Sequence, residues 1–278
     1  MVNNVVVISD EHCGSRLGLC PPIKIPLDNG YYYPSALQEK VWAWWDHLWK
    51  VDIPELTHGE PFCVVNNGDA LEGKPFNSSE AISDNMEDQR ALAKMILEPI
   101  KRMCATDENG NHLFFMIRGT ESHVGKSAEH EEALAKSLGA IPDHIGKHSQ
   151  YEMFMRLDDN GPLINFKHHI GITGSTAYAA TRPSRDYLEL VYNSVMWGRA
   201  VPNIMVRSHR HKFLVLEPEG KDDNWIVVTP GWQLKTPYAH RITDDMPVMG
   251  AIVIRKSDER TYVTKRTWSI DRIPEVVI

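Results

Sequence analysis

Cysteine is scarce: the 278 residues hold four, Cys13, Cys20, Cys63 and Cys104, and no two of them form a Cys-x-x-Cys pair. A chain this long has no need of disulfide staples, so free thiols are expected. Also missing is any apolar stretch near the roughly 18 consecutive residues of a membrane span. No charged-then-apolar leader precedes the first apolar run, which starts by Val5. The expectations are a cytoplasmic protein with no membrane association. Asn77-Ser78-Ser79 has the form of a glycosylation triplet, but without an export signal it carries no meaning. There is no basic excess either: 30 Lys and Arg against 37 Asp and Glu leave a formal net charge of -7. That balance argues against a protein that coats nucleic acid by charge alone, though a strand held in a local groove stays open. Internal repeats, low-complexity tracts and Gly/Ser linkers are absent, so residues 1–278 are read as a single domain.

What is present is a core-forming composition, 42% apolar and 24% charged. Short β-branched or apolar runs recur at 4–9, 62–66 (FCVVN), 113–117 (LFFMI), 163–167 (LINFK), 203–207 (NIMVR), 213–216, 225–229 and 250–255. Between the early runs lie segments of helical periodicity, Leu37, Val41, Trp44, Trp45 and Leu48, then Ala91, Leu92, Met95, Ile96 and Ile100. Strand, helix, strand, helix implies a sheet with helices on its faces. In the later half strands follow at shorter intervals around "EPEGKDDNW" and "RKSDERTY", two charged hairpin-like turns. The class is therefore α/β, with one mixed sheet or two stacked ones. Residues 13–36 are too rich in Pro, Gly and Tyr for regular structure and form either a lid or an ordinary surface insertion. In "VWAWWDHLW", Val41, Trp45 and Leu48 share a helical face that suits the core, and Trp42 and Trp49 share another.

The chemistry lies where polar residues follow the apolar runs. The first run ends in Ser9-Asp10-Glu11-His12, the second in Gly68-Asp69, and the third in Gly119-Thr120-Glu121-Ser122-His123. The fourth ends in His168-His169 and the fifth in His209-x-His211. Ligand crevices of open α/β sheets lie beyond the carboxyl ends of strands, where such groups can converge. A lone Asp-x-His or His-x-His is more often a solvated turn than a ligand pair; five strand-terminal groups in order are a different matter. Mixed nitrogen and oxygen donors suit Mn, Fe, Zn, Ni or Co better than Ca. Two carboxylates and four histidines can serve two ions, with a shared Asp as a bridge across about 3.5–4 Å.

The order Asp-x-His, Gly-Asp, Gly-Asn-His-Asp/Glu, His, Gly-His-x-His is the signature of the calcineurin-like metallophosphoesterases, and the chain resembles that family over residues 5–211. The resemblance implies a two-sheet sandwich of mixed β-sheets flanked by helices. It makes Asp10, His12 and His211 ligands of a first divalent metal, Asp69 the bridge, and His209 a ligand of the second. His168 matches the fourth motif best, with His169 as the alternative. Two departures stand out. Ser208 replaces the Gly before His-x-His, and "GTESH" replaces Gly-Asn-His-Asp/Glu. Direct counting puts Thr120 at the Asn position; a slipped reading, preferred here because Thr is a poor ligand, brings Glu121 to the second metal and makes His123 the catalytic imidazole beside the leaving group.

The implied activity is hydrolysis of phosphoesters by a hydroxide held between two divalent metals, manganese first and Zn, Fe, Ni or Co as alternatives. Diesters are favoured over monoesters. Two other readings stand beside it: a nuclease of the Mre11-like branch, taking a nucleotide or nucleic-acid substrate, and a catalytically weak scaffold for protein binding, as in the retromer subunit that resembles this family. Arg16, Arg118, Arg182, Arg185 and Arg207 lie near the motif loops and could grip phosphate or be ordinary solvated arginines.

Overall fold

The first apolar run, Asn4–Ile8 (β1), is buried at every position. The reason is that both faces of its sheet are covered: Val5 and Val7 point into one apolar cluster, Val6 and Ile8 into another. In a computed structural model, the structure describes residues 2–74, 79–171, 176–218, 223–257 and 260–270. The glycosylation triplet and the tips of both charged turns fall at least partly outside the described residues.

After β1 come a hairpin, β2 (Ile25–Leu27) and β3 (Gly30–Tyr32), and a helix, α1 (Ala36–His47). A π-helical turn, Leu48–Asp52, leads into α2 (Ile53–Leu56). Then follow β4 (Phe62–Asn66), α3 (Met86–Met103), β5 (Phe114–Ile117), α4 (Glu121–Val124), α5 (Glu129–Leu138) and β6 (Ser149–Gln150). The second half supplies β7 (Met153–Arg156), β8 (Leu163–Phe166), α6 (Thr181–Met196), β9 (Ile204–Arg207), β10 (Leu214–Leu216) and β11 (Trp225–Val228). Last come α7 (Pro237–Ile242), β12 (Val248–Lys256) and β13 (Thr261–Ser269).

Two mixed sheets result. The first runs β13-β12-β1-β4-β5-β6 and the second β10-β11-β9-β8-β7. Between them lie Val5, Val7, Val65, Ile117, Ile164, Phe166, Val206, Val227 and Ile252. On the outer face of the first sheet, Val6, Val64, Phe114 and Val253 pack against Val41, Trp45, Leu92, Ile96 and Leu134 of α1, α3 and α5. On the outer face of the second, Met205 and Ile226 meet Tyr187 of α6. Helices, sheet, sheet, helix is the two-sheet sandwich that the resemblance implies. β1, β4 and β5 are mutually parallel, as are β8 and β9, so five carboxyl ends open at one edge.

Residues 13–36 depart from the expectation of an irregular loop. Cys13, Leu19 and Cys20 are buried, and the Pro-rich stretch closes into the β2–β3 hairpin. Gln38 holds it down: its Nε2 donates to the carbonyls of Ser15 (3.2 Å) and Gly18 (3.0 Å), while its Oε1 accepts from the Ser35 amide in a capping box that starts α1. Two of the four tryptophans in the 41–49 segment are core: Trp45 meets Trp232 edge to face with centroids 4.9 Å apart, and Trp49 is buried with it, while Trp42 and Trp44 are half-buried. All four cysteines are buried free thiols. No helix among the described residues is long and apolar enough to cross a membrane.

Candidate metal centre

The polypeptide stays buried after β1 even though its character changes at once. Ser9, Asp10, Glu11 and His12 are as sealed as the valines before them. Hydroxyl and amide groups stitch the two sheets together at this point. Ser9 Oγ lies 2.9 Å from Thr229 Oγ1, which lies 2.7 Å from Ser208 Oγ, which accepts from Asn67 Nδ2 at 2.6 Å. Ser208, standing where the family has Gly, is thus a rung between β9 and β4. The loops cross-brace through their backbones as well: Asp10 N donates to Gly68 O (2.9 Å) and His12 N to Asp69 O (3.1 Å).

Three overlapping donor groups gather there: Asp10, His12 and His211; His12, Asp69 and His123; and Asp69, His168 and His209. In the first, His211 Nε2 lies 3.1 Å from Asp10 Oδ1 and 3.3 Å from His12 Nε2. In the last, His168 Nε2 lies 2.9 Å and His209 Nδ1 3.8 Å from Asp69 Oδ2. The two ends approach through His168 Nε2, 4.0 Å from Asp10 Oδ1. The inward nitrogens of His12 and His168 are selected by what the opposite nitrogen holds: His12 Nδ1 faces Glu72 Oε2 at 3.1 Å, and His168 Nδ1 donates to Asn67 O at 2.7 Å. His123 Nδ1 donates to Glu72 O at 2.5 Å, leaving Nε2 as its free nitrogen.

Two observations make this a fit for cations rather than a polar network. First, Asp10 Oδ1 and His168 Nε2 are buried with no hydrogen-bond partner, although other donor atoms stand about 3 Å away. Their lone pairs converge on shared space instead of on one another, and sealed orphans of this kind call for a further partner. Secondly, eight described non-glycine residues have positive φ, and five of them are Asp10 (58°), His12 (45°), Asp69 (55°), His209 (71°) and His211 (50°). Left-handed backbone is unfavourable for any side chain, though Asp and His tolerate it better than most. Its concentration on the candidate ligands marks a place where geometry takes precedence over local preference.

Electrostatics agree. Burial alone would raise the Asp10 carboxyl, but the imidazoles of His211 and His168 carry it down to about 2. Asp69 is likewise pulled well below the carboxylate range, against burial, by His168 and His123. Burial would lower His168, yet Asp69 and Asp10 raise it to about 10. With no cation between them, His168 thus takes the counter-charge role that a metal would fill. Burial, joined by the charge of His123, pushes His12 down. Behind the donors, Glu11 is raised to about 8 by burial, and Glu131 to about 7 by burial and the Asp69 charge.

Asp10, His12, Asp69, His123, His168, His209 and His211 are brought together, while Glu121 is not. It is exposed at the start of α4 and belongs to none of the three groups. Thr120 takes the place that the slipped reading gave it, because the chain turns into α4 one residue earlier. Its Oγ1 donates to Asp69 Oδ2 (3.0 Å) and lies 3.2 Å from His209 Nδ1. Gly119 allows the approach: a Cβ there would fall 2.1 Å from Asp69 Oδ1. His169 is exposed at the mouth, its ring 4.8 Å from that of His209.

The arginines are mostly committed elsewhere. Arg118 donates to Ser149, Arg182 pairs with Asp186, Arg185 with Glu189, and Arg207 is buried against Asp186 and Asn165; Arg16 alone of the five is exposed without such a bond among the described residues. Sequence reasoning missed Glu72 and Gln233, whose Nε2 donates to Glu72 Oε2 at 2.9 Å. It also missed Glu131, which accepts from Gly119 N (2.6 Å) and Ala70 N (3.3 Å) on either side of Asp69. Glu72 alone left a local signal, a carboxylate three residues after Asp69 in "GDALEG".

No protein-family model matches the sequence, and no curated protein does. Solved structures do align over nearly the whole chain. A Streptococcus pneumoniae TIGR4 protein described as a predicted phosphoesterase shares 10% identity at a TM-score of 0.39, covering 96% of this chain and 98% of its own. Vacuolar protein sorting 29 from Cryptosporidium parvum shares 14% at 0.39, over 96% and 98%. Chaetomium thermophilum Vps29 shares 10% at 0.42, over 97% and 98%. Likeness at that level carries no functional weight; the donor geometry does.

Proposed function

We propose that the chain is a calcineurin-like metallophosphoesterase, a hydrolase that binds two divalent cations and cleaves phosphoesters, diesters in preference to monoesters. The observation that carries this reading is the set of five left-handed Asp and His residues whose side chains converge on buried, unpartnered donor atoms. Asp10, His12 and His211 would hold one ion and Asp69, His168 and His209 the other, and Asp69, which also groups with His12 and His123, would be the bridge. Manganese suits such a mixed set, as do Zn, Fe, Ni and Co. Cations bound there would supply positive charge against the phosphate oxygens and make hydroxide available near neutral pH.

The chain's own groups complete the site. Glu72 fixes His12 through its carboxylate and His123 through its carbonyl. A protonated His123 can then give its Nε2 proton to the departing oxygen, returning to the neutral form with the proton on Nδ1, the tautomer that the Glu72 carbonyl selects. The preference for diesters rests on the scarcity of uncommitted arginines near the donors, since a doubly charged monoester asks for more positive charge than a diester does.

The test is a screen of Mn, Ni, Co, Zn and Mg against a monoester, an aryl diester, a cyclic nucleotide and an oligonucleotide, with Asp69→Asn as control. Diester turnover that Asp69→Asn abolishes is the expected result. Thr120, a weak donor beside the second group, favours a second reading, a metallophosphoesterase-like scaffold with little turnover. Full metal loading with no turnover of any ester would select it. Preferred cleavage of the oligonucleotide would select the nuclease reading.

A further inference from the structure

A second concavity lies on the outer face of the second sheet, beside α6 and away from the cation donors. It measures about 390 Å³; Phe154, Lys167, Leu190, Trp197, Arg199 and Arg207 line it, and so do the carboxylates of Glu152, Asp186 and Glu189. Its size falls within the ~300–1,000 Å³ of small-molecule sites.

The charges there are unevenly spent. Each carboxylate already has a partner: Glu152 accepts from Asn165 Nδ2, Asp186 from Arg207 and Arg182, and Glu189 from Arg185. The cations do not. Lys167 and Arg199 have no acceptor among the described residues, and both are exposed on the wall. Arg207 is only 3% exposed. Its Nε donates to Asp186 Oδ2 and its Nη1 to Asn165 Oδ1 and Val206 O. Nη2 has no acceptor among the described residues and is not among the sealed orphan atoms, so it is the part of this buried side chain that reaches the cavity. A buried guanidinium held rigid by two of its nitrogens and offering the third is a pre-organised anion donor.

Two unspent cations, Lys167 and Arg199, with the free nitrogen of Arg207 as a third donor, suit a dianion better than a monoanion, and a phosphate monoester is a dianion at neutral pH. The same cavity also has aromatic and apolar lining: Trp197, 75% exposed where α6 ends, with Phe154 and Leu190. Such a surface stacks a planar ring. We infer that this cavity binds a phosphate monoester carrying a planar base, the class of a nucleoside monophosphate, at a site separate from the cation centre. β8 and β9 connect the two places, since Lys167 precedes His168 and Arg207 lies two residues before His209. The inference does not depend on the hydrolase reading.

Titration calorimetry of the full chain, metal-loaded and chelated, with adenosine monophosphate, adenosine and inorganic phosphate tests it. The monophosphate should bind at least about tenfold more tightly than either fragment, because only it can meet both the cationic and the aromatic lining. Chelation should leave that affinity within about twofold, whatever the fate of turnover. Trp197→Ala should weaken binding by about tenfold, and Lys167→Met should weaken it and flatten its dependence on salt. Both residues are exposed, so neither change endangers the fold as removal of Arg207 would. Equal binding of the three probes, loss of binding on chelation, or unchanged affinity in both variants would overturn the assignment.

Discussion

Val5–Ile8 and Ser9–His12 are consecutive stretches, equally buried, and built on opposite principles. The first is dry, and its alternate side chains serve two apolar layers. The second holds polar and ionisable groups, two of them in left-handed backbone, with Asp10 Oδ1 left without a hydrogen-bond partner. Burial therefore does not distinguish core from site here. Satisfaction does: apolar groups are complete once water is excluded, whereas the sealed donors stay incomplete until something charged joins them.

The most severe way to break this contrast is Asp69→Asn, expected to remove turnover entirely and to lose both ions by elemental analysis. Next comes His123→Ala, expected to keep both metals and lose ~10²–10⁴ in kcat. A metal-free His123→Ala protein would instead make this imidazole a ligand. On the dry side, Phe166→Ala should cost about 3–5 kcal/mol in denaturant unfolding. The molecules that remain folded should keep wild-type metal stoichiometry.

The subtlest test is pH. Asp10, lowered from 3.8 to about 2, contributes stability that is present above 3.8 and lost as pH falls through 2. His168, raised from 6.5 to about 10, contributes stability that is full below 6.5 and lost as pH rises through 10. Glu11 and Glu131, raised from 4.5 to about 8 and about 7, give up stability above 4.5 in either form, and in chelated protein His168 should add a further decline in melting temperature between 6.5 and 10. Metal-loaded protein should not show that further decline, because a cation would replace the proton on His168. Parallel curves for the two forms would remove the claim that His168 stands in for a metal.

Much of this was legible in the sequence. The run at 62–66 is β4 residue for residue, and the periodic segments at 37–48 and 91–100 lie on α1 and α3, because uninterrupted apolar stretches and strong amphipathic patterns carry their own signal. The β2–β3 hairpin was not legible, since its order comes from Gln38 and not from local propensity. α6 was hidden by Pro183 in its first turn and by apolar residues on both faces: Tyr187 is buried, while Leu188, Tyr192 and Val195 are exposed. At the site, residues that follow strands directly were readable. Thr120 was reached by direct counting and passed over for Glu121, because the choice depends on where α4 begins; Gln233 and Glu131 were not readable, because their placement depends on the turn after β11 and on the packing of α5.

The strand order also sets a timetable for synthesis. β1 emerges first yet sits between β4 and β12, and Trp232 N closes onto Asp10 O only after β11 has been made. Until β12 has been made, the edge of β1 that it covers stays open, so a nascent chain carries a sticky edge through the synthesis of β4 to β11.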